Sequence, residues 1–391
     1  AVANGNMDII RKVGSLEELN INQVNKDGNT ILHKEIVTQN NELALLLMEL
    51  GANPTIMDRN GKNFLFYAIS KGIKNIDIIE KALSLGCNIN SRSSKNKTLL
   101  MESITYFLET PKENTEIRND HLEMIIELIR LGISVDATDD NNENALFLVS
   151  RSENRELINT LFEDNHKIDL NHQNNQGETV LSILALNGIR NIKLIKLYLS
   201  KGATPDLVNK YGKSLIEILI DIILYSENRK PLEFEYEILL NEDAEYANVL
   251  EIILKSHNID INKLNSKNEP LFFDSIVYFN FKLFKLLRVK DINLNQRDKD
   301  GNNIIFKLMD YNDKNLIKDK KLYLNTIKSL INAGVDINAK NNEGLTALHI
   351  AVGEKCEYTI RLLLEMRADC FVTDKQGRSI IHTCIWKNTT K

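Results

Sequence analysis

Seven histidines, four cysteines and one acidic loop are the residues of this 391-residue chain whose types could support chemistry. Metal ligation needs donors that converge, such as two histidines one helical turn apart or paired C-x-x-C motifs. Cys87, Cys356, Cys370 and Cys384 form no such pair and read as reduced thiols, in keeping with a reducing compartment. The run Asp298-Lys-Asp300-Gly301-Asn302 has the outline of a calcium loop, but its ligand ladder is wrong. Gln296 falls where the first Asp should stand and Lys307 where a bidentate Glu is needed, so the run reads as a turn. His33, His349 and His382 have no second ligand four residues on, and His121, His166, His172 and His257 are scattered without a pattern. No phosphate loop, zinc-protease helix, Gly-x-Ser-x-Gly elbow or kinase signature is present. The expectation is a chain with no catalytic centre, no cofactor and no metal.

Three of those histidines nonetheless share a frame. Gly28-Asn-Thr-Ile-Leu-His33, Gly344-Leu-Thr-Ala-Leu-His349 and Gly377-Arg-Ser-Ile-Ile-His382 repeat one pattern, and Gly28 to Gly61 and Gly344 to Gly377 are both 33 residues. A fixed period of that size marks a stacked array of supersecondary units. Each unit has the same logic. A polar turn places glycine where the backbone needs positive φ (Gly28, Gly61, Gly177, Gly212, Gly301, Gly344, Gly377). Thr or Ser two residues on (Thr30, Thr98, Thr179, Ser214, Thr346, Ser379) suits a helix N-cap. A short helix follows, then a longer one with apolar residues three and four apart, such as Leu43, Leu46 and Leu47. Gly51, Gly86, Gly132, Gly202 and Gly334 stand where that second helix ends.

The motif Gly-x-Thr-x-Leu-His, followed by an amphipathic Leu-Leu-Leu and by Ala-Asp or Ala-Asn, resembles the ankyrin repeat. The resemblance implies an all-α ankyrin-repeat solenoid of helix–turn–helix units with β-turn fingers, elongated and curved. It covers one array over residues 1–391: a partial repeat 1–24, repeats near 25–57, 58–90, 91–138, 139–172, 173–208, 209–263, 264–296, 297–340 and 341–373, and a partial repeat 374–391. The family's proline after the capping Thr survives here only as Pro270. The helix–helix gap is enlarged at 105–120, 223–247 and 310–324. Such insertions map to loops on one face; the acidic one at 223–247 reads either as a solvated helical extension or as a partner-contacting ledge.

By the resemblance, His33, His349 and His382 hydrogen-bond locally and tie adjacent loops, and partners bind a concave face lined by fingers and first helices. Residues just past the Leu-His position are then expected to be exposed there: Tyr67, Lys71, Tyr106, Phe273, Tyr278, Tyr311 and Trp386. Arg59, Tyr211 and Lys299 stand at the finger tips. The basic stretch from Phe281 to Lys290 reads as a second helix with Leu and Phe inside and Lys outside.

Composition narrows the classes further. A net charge of −5 with both signs interspersed argues against a general nucleic-acid binder. No apolar run approaches the ~18 residues that cross a bilayer; the stretch from Leu215 to Leu224 is broken by Glu217 and Asp221. The expected function is a monomeric, non-catalytic scaffold binding another protein or peptide, without nucleic acid or membrane insertion. The absence of an initial methionine and the opening in mid-repeat point to a trimmed or processed chain. The alternative is the regulatory or targeting portion of a larger protein. Abundant Asn, Lys and Ile suggest an AT-rich microbial, parasitic or viral source, and hence a cytoplasmic protein or one delivered into a host cell.

Overall fold

The computed structural model describes residues 7–14, 20–152, 154–163, 168–188, 191–226, 246–256, 259–313 and 320–383. Helices account for the regular structure. No strand occurs among the described residues, only isolated β-bridges that close fingers, such as Arg92 to Thr98 and Thr373 to Ser379. The chain gathers into two compact units, residues 1–183 and 184–391.

In the first unit, a helix Met7–Gly14 precedes antiparallel pairs at Ile31–Val37 with Asn41–Glu49, Phe64–Ala68 with Ile76–Ser84, Leu99–Glu109 with Thr115–Arg130, and Ala145–Arg151 with Arg155–Glu163. The helix Val180–Leu186 spans the boundary between the units, and Ile192–Ser200 follows it. The second unit continues with Leu215–Ser226 and Tyr246–Lys255, Phe272–Val277 and Phe281–Leu287, Ile304–Asp313 and Lys320–Asn332, then Ala347–Gly353 and Glu357–Glu365. The expected apolar stripes are the core: Leu32, Leu43, Leu65, Ile79, Leu100 and Leu128 in the first unit, and Ile195, Leu250, Leu287, Ile327 and Leu363 in the second, are all fully buried. Each such side chain contributes about 2 kcal/mol by leaving water.

Local chemistry starts the first helices. The Thr30, Thr98 and Thr346 hydroxyls accept from backbone N–H groups of the first turn, at 3.4, 3.2 and 3.5 Å. Asn63, Asn144 and Asn303 do the same where Thr is missing, accepting from Leu65, Leu146 and Ile305 at 3.1, 3.2 and 3.1 Å. Every glycine expected in a finger has positive φ. Where glycine is absent, Asn96, Asn142 and Asn268 adopt φ of 53, 58 and 59° in its place; asparagine tolerates this region better than other side chains.

Two expectations need correction. The gap at 105–120 is not a loop. It lengthens both helices of its pair into Leu99–Glu109 and Thr115–Arg130, because Arg118 locks the hairpin between them. Its guanidinium donates to the Phe107 and Thr110 carbonyls at 3.1 and 2.9 Å and lies 4.0 Å from the Phe107 ring centre. The added turn packs on the preceding pair: Lys74 pairs with Asp120 at 2.8 Å, and a Cβ on Gly72 would come within 2.7 Å of Asp120. In the stretch 281–290, Leu283 and Leu287 are buried as expected, but Phe281 is 43% exposed. Two residues from Leu283 is about 200° around a helix, so the two cannot share the inner face. For the other insertions, residues 227–245 and 314–319 lie outside the described residues.

Candidate protein-binding surface

Apart from the third, whose turn starts at Ser93, the fingers are built on an Asp or Asn. Its Oδ1 accepts the N–H groups two and four residues on: Asn25 from Asp27 and Asn29, Asp58 from Asn60 and Lys62, Asp298 from Asp300 and Asn302, Asn341 from Glu343 and Leu345, all at 2.8–3.0 Å. Asp298, the first acid of the calcium-like run, therefore spends its carboxylate on the turn. Among the described residues, no group of His, Cys, Asp or Glu converges as a metal site.

Consecutive fingers are then laced by backbone bonds. In the first unit Arg59 N–H donates to Asp27 O at 3.1 Å, Ser94 N–H to Asn60 O at 2.8 Å and Asn175 N–H to Asn141 O at 3.0 Å. In the second, Lys299 N–H donates to Asn268 O at 3.1 Å, Asn342 N–H to Asp300 O at 2.9 Å and Lys375 N–H to Glu343 O at 3.1 Å. The approach is so close that a Cβ on Gly344 would sit 2.7 Å from the Lys375 nitrogen. Glycine serves both the positive φ and the contact.

The junction at Ser266 is made differently. Ser266 N–H donates not to a carbonyl but to the Glu217 carboxylate at 3.1 Å, and its Oγ donates to the same group. Glu217 is buried beside the buried pair Lys213–Asp221, whose Nζ–Oδ2 distance is 2.5 Å. Burial raises the Glu217 carboxyl above its ordinary value, and the Ser266 bonds and Lys213 only partly offset this.

A second lacing runs below the fingers. The closing Asn of an Asn/Asp-Ile/Leu-Asn segment (Asn22, Asn90, Asn262, Asn295 and Asn338) reaches into the following helix pair. Asn22 Oδ1 accepts from Asn53 N–H at 2.7 Å while its Nδ2 donates to Gly51 O at 3.2 Å. Asn262 bridges Asn293 and Asp291 at 2.8 and 2.9 Å. Asn295 bridges Asp336 and Gly334 at 2.7 and 2.9 Å. Asn90 and Asn338 accept from Ser134 and Asp369, both at 2.8 Å.

The first helices show which positions face the fingers. Four residues after the cap, Tyr67 donates its hydroxyl to Asp58 Oδ2 at 2.5 Å and approaches Asn29 at 3.4 Å. At the same position Glu102 pairs with Lys62 at 3.2 Å, and Lys307 pairs with Glu269. In each case the partner residue belongs to the preceding finger or is the finger residue just before a cap.

The predicted site residues divide on this frame. Arg59 and Lys299 are exposed at finger tips, and Tyr211 is 40% exposed with Lys210 Nζ 5.0 Å from its ring centre. Tyr67 is half-buried, engaged with Asp58 and edge-on to His33 at 5.2 Å. Tyr106 is half-buried and stacks on buried His121 at 6.0 Å; Lys71 and Tyr278 are half-buried. Phe273 is fully buried against Phe272, 5.0 Å between ring centres, so it lines no exposed stripe. The cause is a register error of one residue. Asn265 accepts from Lys267 and Glu269 just as Asn25 does from Asp27 and Asn29, so Pro270 stands at the cap position rather than after it. Phe273 then takes the buried place of His33 and His349. The side chain of Tyr311, and all of Trp386, lie outside the described residues, as do His166, His257 and Cys384.

His33 and His349 close capping boxes. Thr30 N–H donates to His33 Nδ1 at 3.1 Å, and Thr346 N–H to His349 Nδ1 at 3.2 Å. Nδ1 is therefore the acceptor and Nε2 carries the proton. Burial holds both imidazoles below their ordinary value, although carbonyls of the next finger (Ile56 and Lys62, Val372 and Arg378) oppose it. Nε2 faces those carbonyls without completing a hydrogen bond, so the link across units is weaker than the one within the unit. His382 repeats the local bond from Ser379 N–H at 3.2 Å, in an exposed setting. His172, which carried no pattern, contacts the Asn142 carbonyl at 2.8 Å. Cys87 is buried, its thiol pushed up to about 12 by desolvation, and Cys87, Cys356 and Cys370 are in no disulfide.

The family model for ankyrin repeats (3 copies) matches residues 1–104, 115–231, 272–374 and 317–391, well over half of the sequence. The chain belongs to the ankyrin repeat family. Among similar proteins, human B-cell lymphoma 3 protein is 52% identical over 50 residues, 12% of this chain and 11% of that protein. A putative ankyrin repeat protein of Acanthamoeba polyphaga mimivirus is 22% identical over 343 residues, 84% of this chain and 40% of its own length. One from Rickettsia felis is 24% identical over 350 residues, covering 83% and 78%. The chain thus spans less than half of the human and viral relatives. The crystal structure of the Bcl-3 ankyrin repeat domain aligns with a TM-score of 0.45 at 17% identity, over 62% of this chain and 95% of that domain. Ankyrin repeats are protein–protein interaction scaffolds, and the laced fingers and paired helices described above are the parts such a scaffold needs. Among the described residues, no helix is long and apolar enough to cross a membrane.

Proposed function

We propose that this ankyrin chain is a non-catalytic scaffold that binds a partner protein on the face formed by its fingers and first helices. The observation that carries this reading is the lacing of consecutive fingers by backbone bonds, which leaves side chains such as Arg59 and Lys299 projecting from a fixed frame. A surface ordered before the partner arrives avoids much of the conformational entropy that binding otherwise costs. Phe273 does not serve this role because it is core, and Tyr67 is held in place by Asp58. Relatives in a giant virus and in Rickettsia felis support a further reading, in which the partner is a host protein.

The experiment is quantitative capture from native and host lysates with three folded baits: wild type, Arg59→Glu/Lys299→Glu, and Lys328→Glu, which alters an exposed residue of a second helix. The reading expects a protein retained by wild type and Lys328→Glu but lost from the finger variant. Equal retention by all three, or loss only from Lys328→Glu, overturns it.

A further inference from the structure

The first three fingers and their helices carry cations that form no ion pair among the described residues. Lys26, Arg59 and Lys95 are exposed at successive finger turns, and Lys97 stands just before the Thr98 cap. Lys34 lies four residues after Thr30, the position from which Tyr67 and Glu102 face the fingers. Lys71 lies eight after Asn63, the place Tyr106 takes in the next helix. These six make no ion pair among the described residues.

The contrast with neighbouring positions is informative. Lys62, in the same place as Lys97, is paired with Glu102 at 3.2 Å, whereas the helix following Lys97 offers Leu148 at the corresponding position. The carboxylates of the region are largely spoken for. Glu102 serves Lys62, Asp58 accepts the Tyr67 hydroxyl, and Asp120 pairs with Lys74 at 2.8 Å. Glu35 is buried and accepts from Asn40 at 3.3 Å, which leaves Asp27 at the first tip and Glu109 at the end of its helix among the described residues of these fingers and first helices. Beyond the third finger the sign changes, with Asp139, Asp140 and Glu143 in the fourth. A patch of like charge held together by a laced backbone, in a chain of net charge −5, costs self-repulsion that an oppositely charged partner would relieve.

We propose that the face of the first three fingers binds an acidic, extended segment of a partner protein. This rests on the scaffold reading above and names the chemistry of the occupant. Charge complementarity selects the partner: carboxylates spaced along an extended strand would meet cations presented by successive fingers, raising both the association rate and discrimination against basic competitors. A protein segment fits better than a single-stranded nucleic acid. The aromatic rings on this face, Tyr67 and Tyr106, are committed to His33 and His121 and offer no free platform for base stacking.

The test uses the full chain and fluorescence anisotropy. The probes are a fluorescein-labelled peptide alternating Glu with Ala, its Gln counterpart, and a labelled oligothymidylate, each at low and at raised NaCl. The acidic peptide is expected to bind, to weaken with salt, and to outbind the Gln peptide by on the order of tenfold, since several screened contacts of up to about 1 kcal/mol add. Lys26→Glu/Arg59→Glu/Lys95→Glu, all exposed tips, is expected to lose that binding while circular dichroism stays unchanged, and Lys328→Glu is expected to keep it. No binding of the acidic peptide, equal binding of the Gln peptide, an unaffected triple variant, or tighter binding of the oligothymidylate overturns the proposal. A lysate partner that needs the fingers but shows none of this charge dependence would leave the scaffold reading standing and sink the acidic occupant alone.

Discussion

Asn295 offers a direct way to weigh the polar lacing between successive helix pairs. Its Oδ1 accepts from Asp336 N–H at 2.7 Å and its Nδ2 donates to Gly334 O at 2.9 Å, so one side chain holds both sides of the turn that ends the helix Lys320–Asn332. A hydrogen bond adds about 0.5–1.5 kcal/mol net. The site is exposed, so the partners regain water when the side chain is removed, and no desolvation penalty is added. Two such bonds give an expected loss of about 1–2 kcal/mol for Asn295→Ala. Asn295→Asp keeps the acceptor for Asp336 and gives up the donor to Gly334, so it should lose about half as much. In an array stabilised by nearest-neighbour interfaces, urea unfolding followed by circular dichroism reports the total. Amide hydrogen exchange at Asp336 reports the bond itself, and should accelerate in the Ala variant but not in the Asp variant. If Asp336 exchanges at the wild-type rate in Asn295→Ala, and the urea midpoint is unmoved, the Asn ladder is decoration and the reasoning fails.

Other consequences are equally open to measurement. Gly344→Ala combines positive φ with a 2.7 Å approach to Lys375, whereas a Cβ on Gly334 meets nothing within 4 Å. Gly334→Ala should cost roughly 1–2 kcal/mol for the left-handed backbone alone and Gly344→Ala distinctly more; equal thermal shifts would deny that finger contact matters. Asp221→Ala should cost up to about 3–5 kcal/mol by removing the paired carboxylate of buried Lys213, while Lys213→Met/Asp221→Leu should recover much of that loss; a double variant no better than the single one would contradict this. For Glu217 the folded carboxyl is raised, so its favourable contribution is complete below the ordinary glutamate range and is lost as pH rises through the raised value. Glu217→Gln, which cannot ionise, should therefore gain stability relative to wild type on going from acid to neutral pH. A difference that is flat or reversed with pH in urea titrations would refute it.

What the sequence made legible is what single residues determine locally. Glycine at Gly28 or Gly344 announces a positive φ, Thr30 and Thr346 announce caps, and Leu43, Leu46 and Leu47 announce a buried face through spacing alone. The misreadings arose where a substitute residue does the same work or where the partner is distant. Asn268 replaces glycine in its finger, which hid the register and put Phe273 on the surface when it belongs in the core. The carboxylate and the two amides at Asp58, Asn63 and Asn144 cap turns and helices as well as threonine does, and an Asp or Asn three residues before the finger glycine was a usable signal. The long hairpin at 105–120 depends on Arg118 reaching back to Phe107 and Thr110, and Tyr67 is taken up by Asp58; no periodicity encodes either contact. The anchoring of Ser266 by Glu217, 49 residues away in sequence, belongs to the same class.

The central claim is that partners meet the fingers and first helices. Amide hydrogen exchange of the full chain, alone and saturated with its captured partner, tests it most directly. The account predicts new protection concentrated in finger segments such as 59–61 or 299–301 and in the adjoining first helices. Protection confined to second helices such as Ile76–Ser84 and Lys320–Asn332, with the fingers unchanged, would contradict it.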